Sequence, residues 1–225
     1  MTKTAQGPRR NRDQAIVAAA IHVFSEKGYA AASLQDVADS VGLLKGSLYH
    51  YITAKESLLY RIFQESYEQA LALREGVEAL GLSPEARLRE FIRQLTLFYA
   101  QNRERASLYF TEWRHLTGED YKTVMRQRRE FELYVLDLIQ DVAKQGLARD
   151  GLDAKLATRY LLTAVNGVVI WYRPGGAWSA SVVAEQLADM TCAAVLRPEL
   201  AVAEKAARPV KATRRPKAAK AASAG

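Results

Sequence analysis

Residues 33–59 read SLQDVADSVGLLKGSLYHYITAKESLL, and this stretch decides the fold. Ser33 is followed three residues later by Asp36, which is the pattern of a capping box at the start of a helix. Apolar residues then recur at helical spacing over 34–41, and a glycine ends the run. A second short helix is predicted over about 44–51. The stretch therefore predicts two short helices joined by a glycine turn.

The helical periodicity extends over the rest of the chain. A helix is predicted upstream over 13–27, and a second capping-box pattern, Thr53-Ala54-Lys55-Glu56, opens a helix to about Leu80. No alternating strand pattern occurs in the sequence. The sequence therefore predicts an all-α protein of nine helices, three in an N-terminal helix-turn-helix domain and six in a larger body. The remaining helices are predicted over about 84–101, 104–116, 120–145, 153–172 and 181–196, with Asp153 as the cap of the eighth.

The excess positive charge lies at the two ends of the chain. The net charge of +7 divides into +2 for residues 1–52, −1 for residues 53–196 and +6 for residues 197–225. Basic ends favour a polyanionic partner such as nucleic acid, although a solvated tail would carry the same charges. The predicted organisation is a basic disordered arm, a helix-turn-helix DNA-binding domain, a helical effector-binding and dimerisation domain, and a basic disordered tail, over residues 1–12, 13–55, 56–196 and 197–225.

Several classes of protein are disfavoured by the sequence. Cys192 is the single cysteine, and no Cys/His cluster with metal-ligand spacing occurs. No apolar run is long enough for a membrane span, and the N-terminus has no apolar stretch of signal-peptide type. No phosphate-binding glycine loop, Gly-x-Ser-x-Gly elbow or His-Glu-x-x-His motif is present. We therefore expect a cytoplasmic protein that is not an enzyme and has no metal, cofactor or membrane partner. An architectural protein that coats DNA through its lysine-rich tail is the remaining alternative.

The paired helices predict a DNA-binding element, because the second helix of such a pair enters the major groove. Lys45 can donate to guanine acceptors, and Ser47 can donate or accept. Tyr49 and His50 can bind phosphates or contact thymine methyls, while Lys55 lies where helix amides favour an anion. An ordinary helical hairpin, with its tyrosines in the core, is the alternative. The predicted DNA-binding residues are Arg10, Arg12, Ser33, Gln35, Lys45, Gly46, Ser47, Tyr49, His50, Tyr51 and Lys55.

Residues 13–60 resemble the DNA-binding domain of TetR-family regulators, and the long helices that follow are similar in number to that family's body. The resemblance implies a homodimer on a palindromic double-stranded operator, DNA contacts from the third helix, and repression relieved by a small ligand. It is carried by Ala15-Ile16, Ala19-Ala20, Phe24, Lys27-Gly28-Tyr29, Ser33 to Val37, Ala38, Val41-Gly42, Gly46 to Tyr51 and Lys55 to Leu59.

A second resemblance lies near the C-terminus. Residues 171–176 read WYRPGG, which is similar to a segment of TetR-type repressors of sterol-ring catabolism in actinobacteria that respond to a CoA thioester. Those repressors carry an arginine and a tryptophan where this chain has Leu162 and Asn166. This departure argues against a sterol-derived ligand, so the resemblance implies an acyl-CoA or a related hydrophobic acid as effector.

The predicted body is rich in aromatic residues, which either form its core or line a ligand cavity. Thr163 and Asn166 interrupt the apolar run 160–172, and a buried amide needs a partner on another helix, another subunit or a ligand. Because that run is apolar on all sides, we expect that the run and the last helix both pack against a second copy of the chain. The predicted effector-binding residues are Phe98, Tyr99, Tyr109, Trp113, Phe131, Tyr134, Thr163 and Asn166.

Overall fold

The computed structural model describes residues 8–200, except for the side chains of residues 8–10 and of Lys45. The described part contains ten α-helices and no strand, which confirms the all-α prediction. Residues 1–7 of the predicted arm and residues 201–225 of the predicted tail lie outside the described residues. Residues 197–200, predicted to be disordered, are placed in the structure, where the amide of Arg197 donates to the carbonyl of Leu147 at 3.0 Å. The helices are α1 (Pro8–Lys27), α2 (Leu34–Ser40), α3 (Lys45–Leu48), α4 (Lys55–Glu78), α5 (Pro84–Gln101), α6 (Arg103–Thr111), α7 (Gly118–Lys144), α8 (Ala154–Asn166), α9 (Val168–Trp171) and α10 (Ala180–Val195).

Several helix boundaries differ from those predicted. α1 begins at Pro8, a position where proline is favoured, so residues 8–12 of the predicted arm are helical. α3 has four residues instead of eight, and a 3-10 turn over Glu112–His115 follows α6. The predicted helix 153–172 is interrupted at Gly167, whose carbonyl accepts from the amide of Ile170 only three residues on, at 2.9 Å. This tightened turn separates α8 from α9 and makes ten helices instead of nine.

The chain divides into two compact units that are not contiguous in sequence. In the described residues, the first unit comprises 8–75 and 102–133, and the second comprises 76–101 and 134–200. The helices α4 and α7 contribute residues to both. These units are defined by packing, so the domain boundaries predicted from the sequence stay predictions.

The first unit has a core shared between its two stretches of chain. Ile16, Phe24, Leu48 and Phe63 are completely or almost completely buried in one cluster, and Leu116 of the second stretch belongs to it. Gly28 ends α1 with a φ of 78°, a left-handed conformation that is strained for any other residue. The core therefore fixes the helix-turn-helix to α4, α6 and the first half of α7.

The second unit is organised around α5 and α10, which pack along each other. Arg89 of α5 is buried, and its Nη2 lies 2.5 Å from a carboxylate oxygen of Glu185 and 2.7 Å from one of Asp189 on α10. A buried guanidinium needs opposite charges of this kind to offset its loss of hydration. Ala100, Val168, Tyr172 and Val183 form an apolar cluster where α5, α9 and α10 meet. Asp153 caps α8 as predicted, because its side chain accepts from the amides of Lys155 and Leu156.

Candidate functional site

The first helix of the reading pair, α2, begins with the predicted capping box. The Oγ of Ser33 accepts from the amide of Asp36 at 3.2 Å, and the Asp36 carboxylate accepts from the amide of Ser33 at 2.8 Å. The Nζ of Lys27 lies 2.5 Å from the same carboxylate. The hydrogen bonds from Lys27 and Ser33 lower the pKa of Asp36 to about 2. The hydroxyl of Ser33, predicted to bind DNA, is thus engaged in holding α2.

The predicted second capping box does not form. α4 begins at Lys55, so Ala54 occupies the cap position, and its amide donates to the Oγ of Ser57 at 3.1 Å. Thr53 lies one residue too early to cap. Glu56 accepts instead from the amide and the hydroxyl of Thr117, at 2.7 and 2.8 Å. The start of α4 is therefore attached to the turn that precedes α7, within the first unit.

Lys55 is directed into the protein, although we predicted that it contacts a phosphate. Its Nζ donates to the backbone carbonyls of Tyr29, Ala30 and Ala32, at 2.7, 3.3 and 2.8 Å. The ammonium also lies 4.4 Å from the centre of the Tyr29 ring. An ammonium has three donors, and all three are used by these carbonyls. In this conformation Lys55 holds the turn after α1 to the start of α4.

The second helix of the pair, α3, and the turn that follows it over 49–51 contain both buried and exposed side chains. Leu48 is fully buried, and the half-buried Tyr51 packs against the core of the first unit, so the alternative of a core tyrosine applies to Tyr51. Tyr49 and His50 are exposed, and Ser47 is half-buried. A Cβ placed on the exposed Gly46 would meet nothing within 4 Å. The exposed residues are the chemically suitable ones for reading bases.

The other predicted DNA-binding residues lie on α1 and α2. Arg12 is exposed on α1, and the exposed Gln35 donates to the Asp39 carboxylate on α2 at 2.7 Å. The side chains of Arg10 and Lys45 lie outside the described ones. The structure therefore places Arg12, Gln35, Gly46, Tyr49 and His50 on the surface of the first unit.

The predicted effector-binding residues are divided between the two units. Within the first unit, Tyr109 and Trp113 are half-buried around Arg128. The guanidinium of Arg128 lies 5.3 Å from the Tyr109 ring centre and 5.9 Å from that of Trp113, and it donates to the Tyr109 carbonyl at 2.9 Å. Within the described part of the chain it forms no ion pair with a carboxylate. Phe131, on the same helix as Arg128, is half-buried. Reasoning from the sequence missed Arg128, because it lies in a run of three charged residues that suggests a solvated face.

Within the second unit, Tyr99 and Tyr134 are buried, and Phe98 is half-buried. The hydroxyl of Tyr134 donates to Glu78 at 2.7 Å, and its ring packs edge-on against Phe91. These contacts are those of core residues.

The two polar residues of α8 behave differently from each other. The hydroxyl of Thr163 is exposed and donates to the carbonyl of Arg159 at 2.7 Å, so it satisfies itself within the helix. The Oδ1 of Asn166 is buried and has no hydrogen-bond partner among residues 8–200. A buried acceptor that lacks a donor is costly unless a bound molecule or another subunit supplies one. Asn166 is therefore the better candidate of the two.

An apolar surface remains uncovered on α8, α9 and α10. Leu156, Tyr160, Ile170 and Met190 are between 58% and 73% exposed. Exposure of several large apolar side chains on adjacent elements is typical of a surface that binds another protein. This is the region that we expected a second copy of the chain to cover.

Neither a metal site nor a membrane span occurs in the described residues. No group of three or more His, Cys, Asp or Glu side chains is placed to hold a metal ion in residues 8–200. Among the helices of the same part of the chain, none is long and apolar enough to cross a membrane.

Comparison with known proteins identifies similar sequences and folds. The family described as "Bacterial regulatory proteins, tetR family" matches residues 16–62, and "Tetracyclin repressor-like, C-terminal domain" matches residues 81–195. The HTH-type transcriptional repressor KstR2 of Rhodococcus jostii is 29% identical over 165 residues, which are 73% of this chain and 81% of that protein. The structure of the ketosteroid transcriptional regulator KstR2 of Mycobacterium tuberculosis superposes with a TM-score of 0.78 at 22% identity, over 83% of this chain and 95% of that one. The regulator AibR, crystallised with isovaleryl coenzyme A and operator DNA, superposes with a TM-score of 0.74 at 23% identity, over 83% and 98%.

Proposed function

Because the chain belongs to the TetR family of bacterial regulatory proteins, we propose that it represses transcription by binding an operator through α3 and leaves the operator when an effector binds. The observation that carries the proposal lies at the end of α3 and in the turn that follows it, where Leu48 is buried while Tyr49 and His50 face solvent. A helix anchored by its apolar side can present its polar side to base edges. A regulator of this kind acts where the chromosome is, so we place it in the cytoplasm.

The proposed DNA surface is smaller than the one predicted from the sequence. It keeps Arg12 and Gln35, together with Gly46, Ser47, Tyr49 and His50, and it includes Arg10 and Lys45 on sequence grounds alone. The hydroxyl of Ser33 and the ammonium of Lys55 serve the fold. Tyr51 packs in the core.

The proposed surface can be tested by fluorescence anisotropy on an operator that the protein itself selects from random duplex DNA. Changing His50 to Ala is expected to weaken binding by about 1–3 kcal/mol, the range for a good base contact. Changing the exposed His22 on α1 to Ala is a matched control that should leave binding unchanged, because His22 lies 3.6 Å from Glu104 and belongs to no proposed contact. Equal affinity of the His50 variant and the parent would contradict the assignment of α3.

We also propose a homodimer formed through the apolar surface of α8, α9 and α10. A two-fold dimer would place two reading helices about 34–36 Å apart on a palindromic site. Light scattering should give twice the chain mass of 25.1 kDa. Changing Tyr160 to Glu should give a monomer, whereas the same change at Leu80, which is exposed but lies outside these helices, should not. A parent protein that is monomeric at micromolar concentration would exclude the dimer.

For the effector, we propose an acyl-CoA or a related hydrophobic acid. The AibR structure, which contains isovaleryl coenzyme A, supports this class, and one feature of the first unit agrees with it. The Arg128 guanidinium lies beside the rings of Tyr109 and Trp113 and forms no ion pair with a carboxylate in the described residues. It can therefore bind an anionic group of the effector.

The effector proposal is tested by release of protein from labelled operator with a panel of CoA thioesters and the matching free acids. Release requires that the ligand bind the DNA-free conformation more tightly. Arg128→Gln should raise the concentration needed for half-release about tenfold or more, since a charge-assisted hydrogen bond is removed. Arg126→Gln, in an exposed arginine two residues away, should have no effect. Failure of every compound in the panel would contradict this ligand class and leave operator binding unaffected.

A further inference from the structure

Leu44, the residue immediately before α3, has an unusual environment. It is 81% exposed, and no other large apolar side chain in the described part of the chain is exposed to that extent. The preceding residue, Leu43, packs against the core of the first unit. Of the two leucines that precede α3, Leu43 therefore packs in the protein and Leu44 is exposed to solvent.

Local structure gives no reason for a leucine at this position. The carbonyl of Leu44 accepts from the amides of Ser47 and Leu48, at 2.9 and 3.2 Å, so Leu44 occupies the cap position of α3. Serine, threonine, aspartate and asparagine are preferred there, because their side chains accept from free amides of the first turn, and leucine is among the least favourable residues. A capping side chain would stabilise the helix, and a polar one would remove exposed apolar surface.

The residue two positions further supports an explanation outside the folded chain. Gly46 lies within α3, where a glycine weakens a helix, yet a Cβ on it would meet nothing within 4 Å. Packing within the described part of the chain therefore does not require Gly46 to lack a side chain. Leu44 and Gly46 are both unfavourable for the stability of α3, and they leave its N-terminal end open to close approach by another molecule.

We propose that Leu44 contacts the C5-methyl group of a thymine and so determines part of the operator sequence. The first turn of a reading helix faces base edges in the major groove, and the thymine methyl is the apolar group that those edges present. This inference rests on the proposed operator binding through α3. It assigns to Leu44 a role in base selection that depends on apolar contact instead of a hydrogen bond.

The test is a double-mutant cycle between the side chain and the methyl group. The probe is the operator selected by the parent protein, synthesised with deoxyuridine in place of each thymine in turn, which removes only the methyl. At one thymine position of the half-site, replacement by deoxyuridine should lower the affinity of the parent about fourfold, which is the effect of one buried methyl-sized group. Replacement at that position in both half-sites should lower it about fifteenfold. Leu44→Ala should bind the thymine operator more weakly and should not distinguish uridine from thymine at that position.

Two further variants separate base selection from effects on folding. Leu44→Ser places a favoured cap residue before α3, so its thermal stability should equal or exceed that of the parent while its thymine preference disappears. Tyr49→Phe should keep the thymine preference at the Leu44 position. The proposal is overturned if Leu44→Ala keeps the parent's full sensitivity to uridine, or if the parent binds the operator without distinguishing uridine anywhere. Absence of any selected operator would instead refute the proposed function on which this inference rests.

Discussion

The role of Lys55 is open to a decisive test, because the sequence and the structure assign it different partners. Lys55→Met removes the ammonium and keeps a flexible apolar stem of similar length. The carbonyls of Tyr29 and Ala32 are partly buried and lose a charged donor, whereas the more exposed carbonyl of Ala30 can be hydrated. A hydrogen bond to a charged group contributes about 1.5–3 kcal/mol, and the interaction with the Tyr29 ring adds about 0.5–1 kcal/mol. Since packing of the methionine recovers part of this, we expect a decrease of about 3 kcal/mol in the free energy of unfolding.

The assay compares denaturant unfolding with the salt dependence of operator binding. For a chain of this length, a decrease of about 3 kcal/mol lowers the melting temperature by roughly 6–12 °C. The slope of log affinity against log salt should stay that of the parent, because the same phosphates remain neutralised. If Lys55 binds a phosphate instead, the slope should flatten by about 0.9 for that phosphate while stability is unchanged.

A second substitution sharpens this comparison. Lys55→Arg keeps the charge, but a planar guanidinium cannot direct donors to the same three carbonyls. It should therefore be less stable than the parent and keep the parent's salt slope. Lys55→Met with full stability and a flattened slope would refute the structural role.

Further measurements address the cap, the buried tyrosine, the reading helix and the tail. Ser33→Ala should lower the free energy of unfolding by about 1 kcal/mol in denaturant titrations, because the amide of Asp36 loses its acceptor. Burial, together with the charges of Glu56 and Glu112, raises the pKa of Tyr29 from 10.0 to about 12. The neutral phenol therefore stabilises the fold below pH 10, and this stabilisation is lost as the pH rises from 10 to 12. The free energy of unfolding of Tyr29→Phe should depend less on pH over that range. Lys45→Ala should weaken operator binding by roughly 1–3 kcal/mol without lowering the melting temperature, and unchanged affinity would exclude a base contact. Truncation after Leu196 should weaken binding to all DNA and flatten the salt slope by roughly 0.9 for each phosphate that the tail neutralises, with the operator preference kept; identical slopes would show that the tail does not touch DNA.

Local signals in the sequence predicted the elements with a short-range cause. The Ser33–Asp36 box and the Asp153 cap depend on interactions within a few residues, and both are formed as expected. The second capping box was wrong because Thr53 and Glu56 fit the pattern, yet the chain enters α4 one residue later and Glu56 finds Thr117, 61 residues away. Residue spacing shows which hydrogen-bond partners lie nearby in the sequence. Residues that are distant in the sequence can compete for the same side chains once the chain is folded.

The candidate site was predictable to a similar degree. The exposure of Tyr49 and His50 agrees with a reading helix proposed from order and spacing. The engagement of Lys55 with three carbonyls could not be foreseen, since those carbonyls belong to a turn 23 to 26 residues earlier. Arg128 was missed because its aromatic neighbours come from α6 and the turn after it.

The core of the first unit is formed by two separate stretches of the chain, and this limits how fragments and hybrids of the protein can be made. Leu108, Leu116 and Val124 are buried in the same cluster as Ile16, although they lie 92 to 108 residues later in the chain. A fragment that ends at residue 75 would keep every side chain of the proposed operator-reading surface and would lose part of the core beneath them. A hybrid made by joining residues 1–55 to another regulator's body would inherit foreign residues at those three places. Transferring the DNA specificity of this protein therefore requires grafting the exposed residues of 44–50 into an intact recipient, or moving residues 102–133 along with the N-terminal segment.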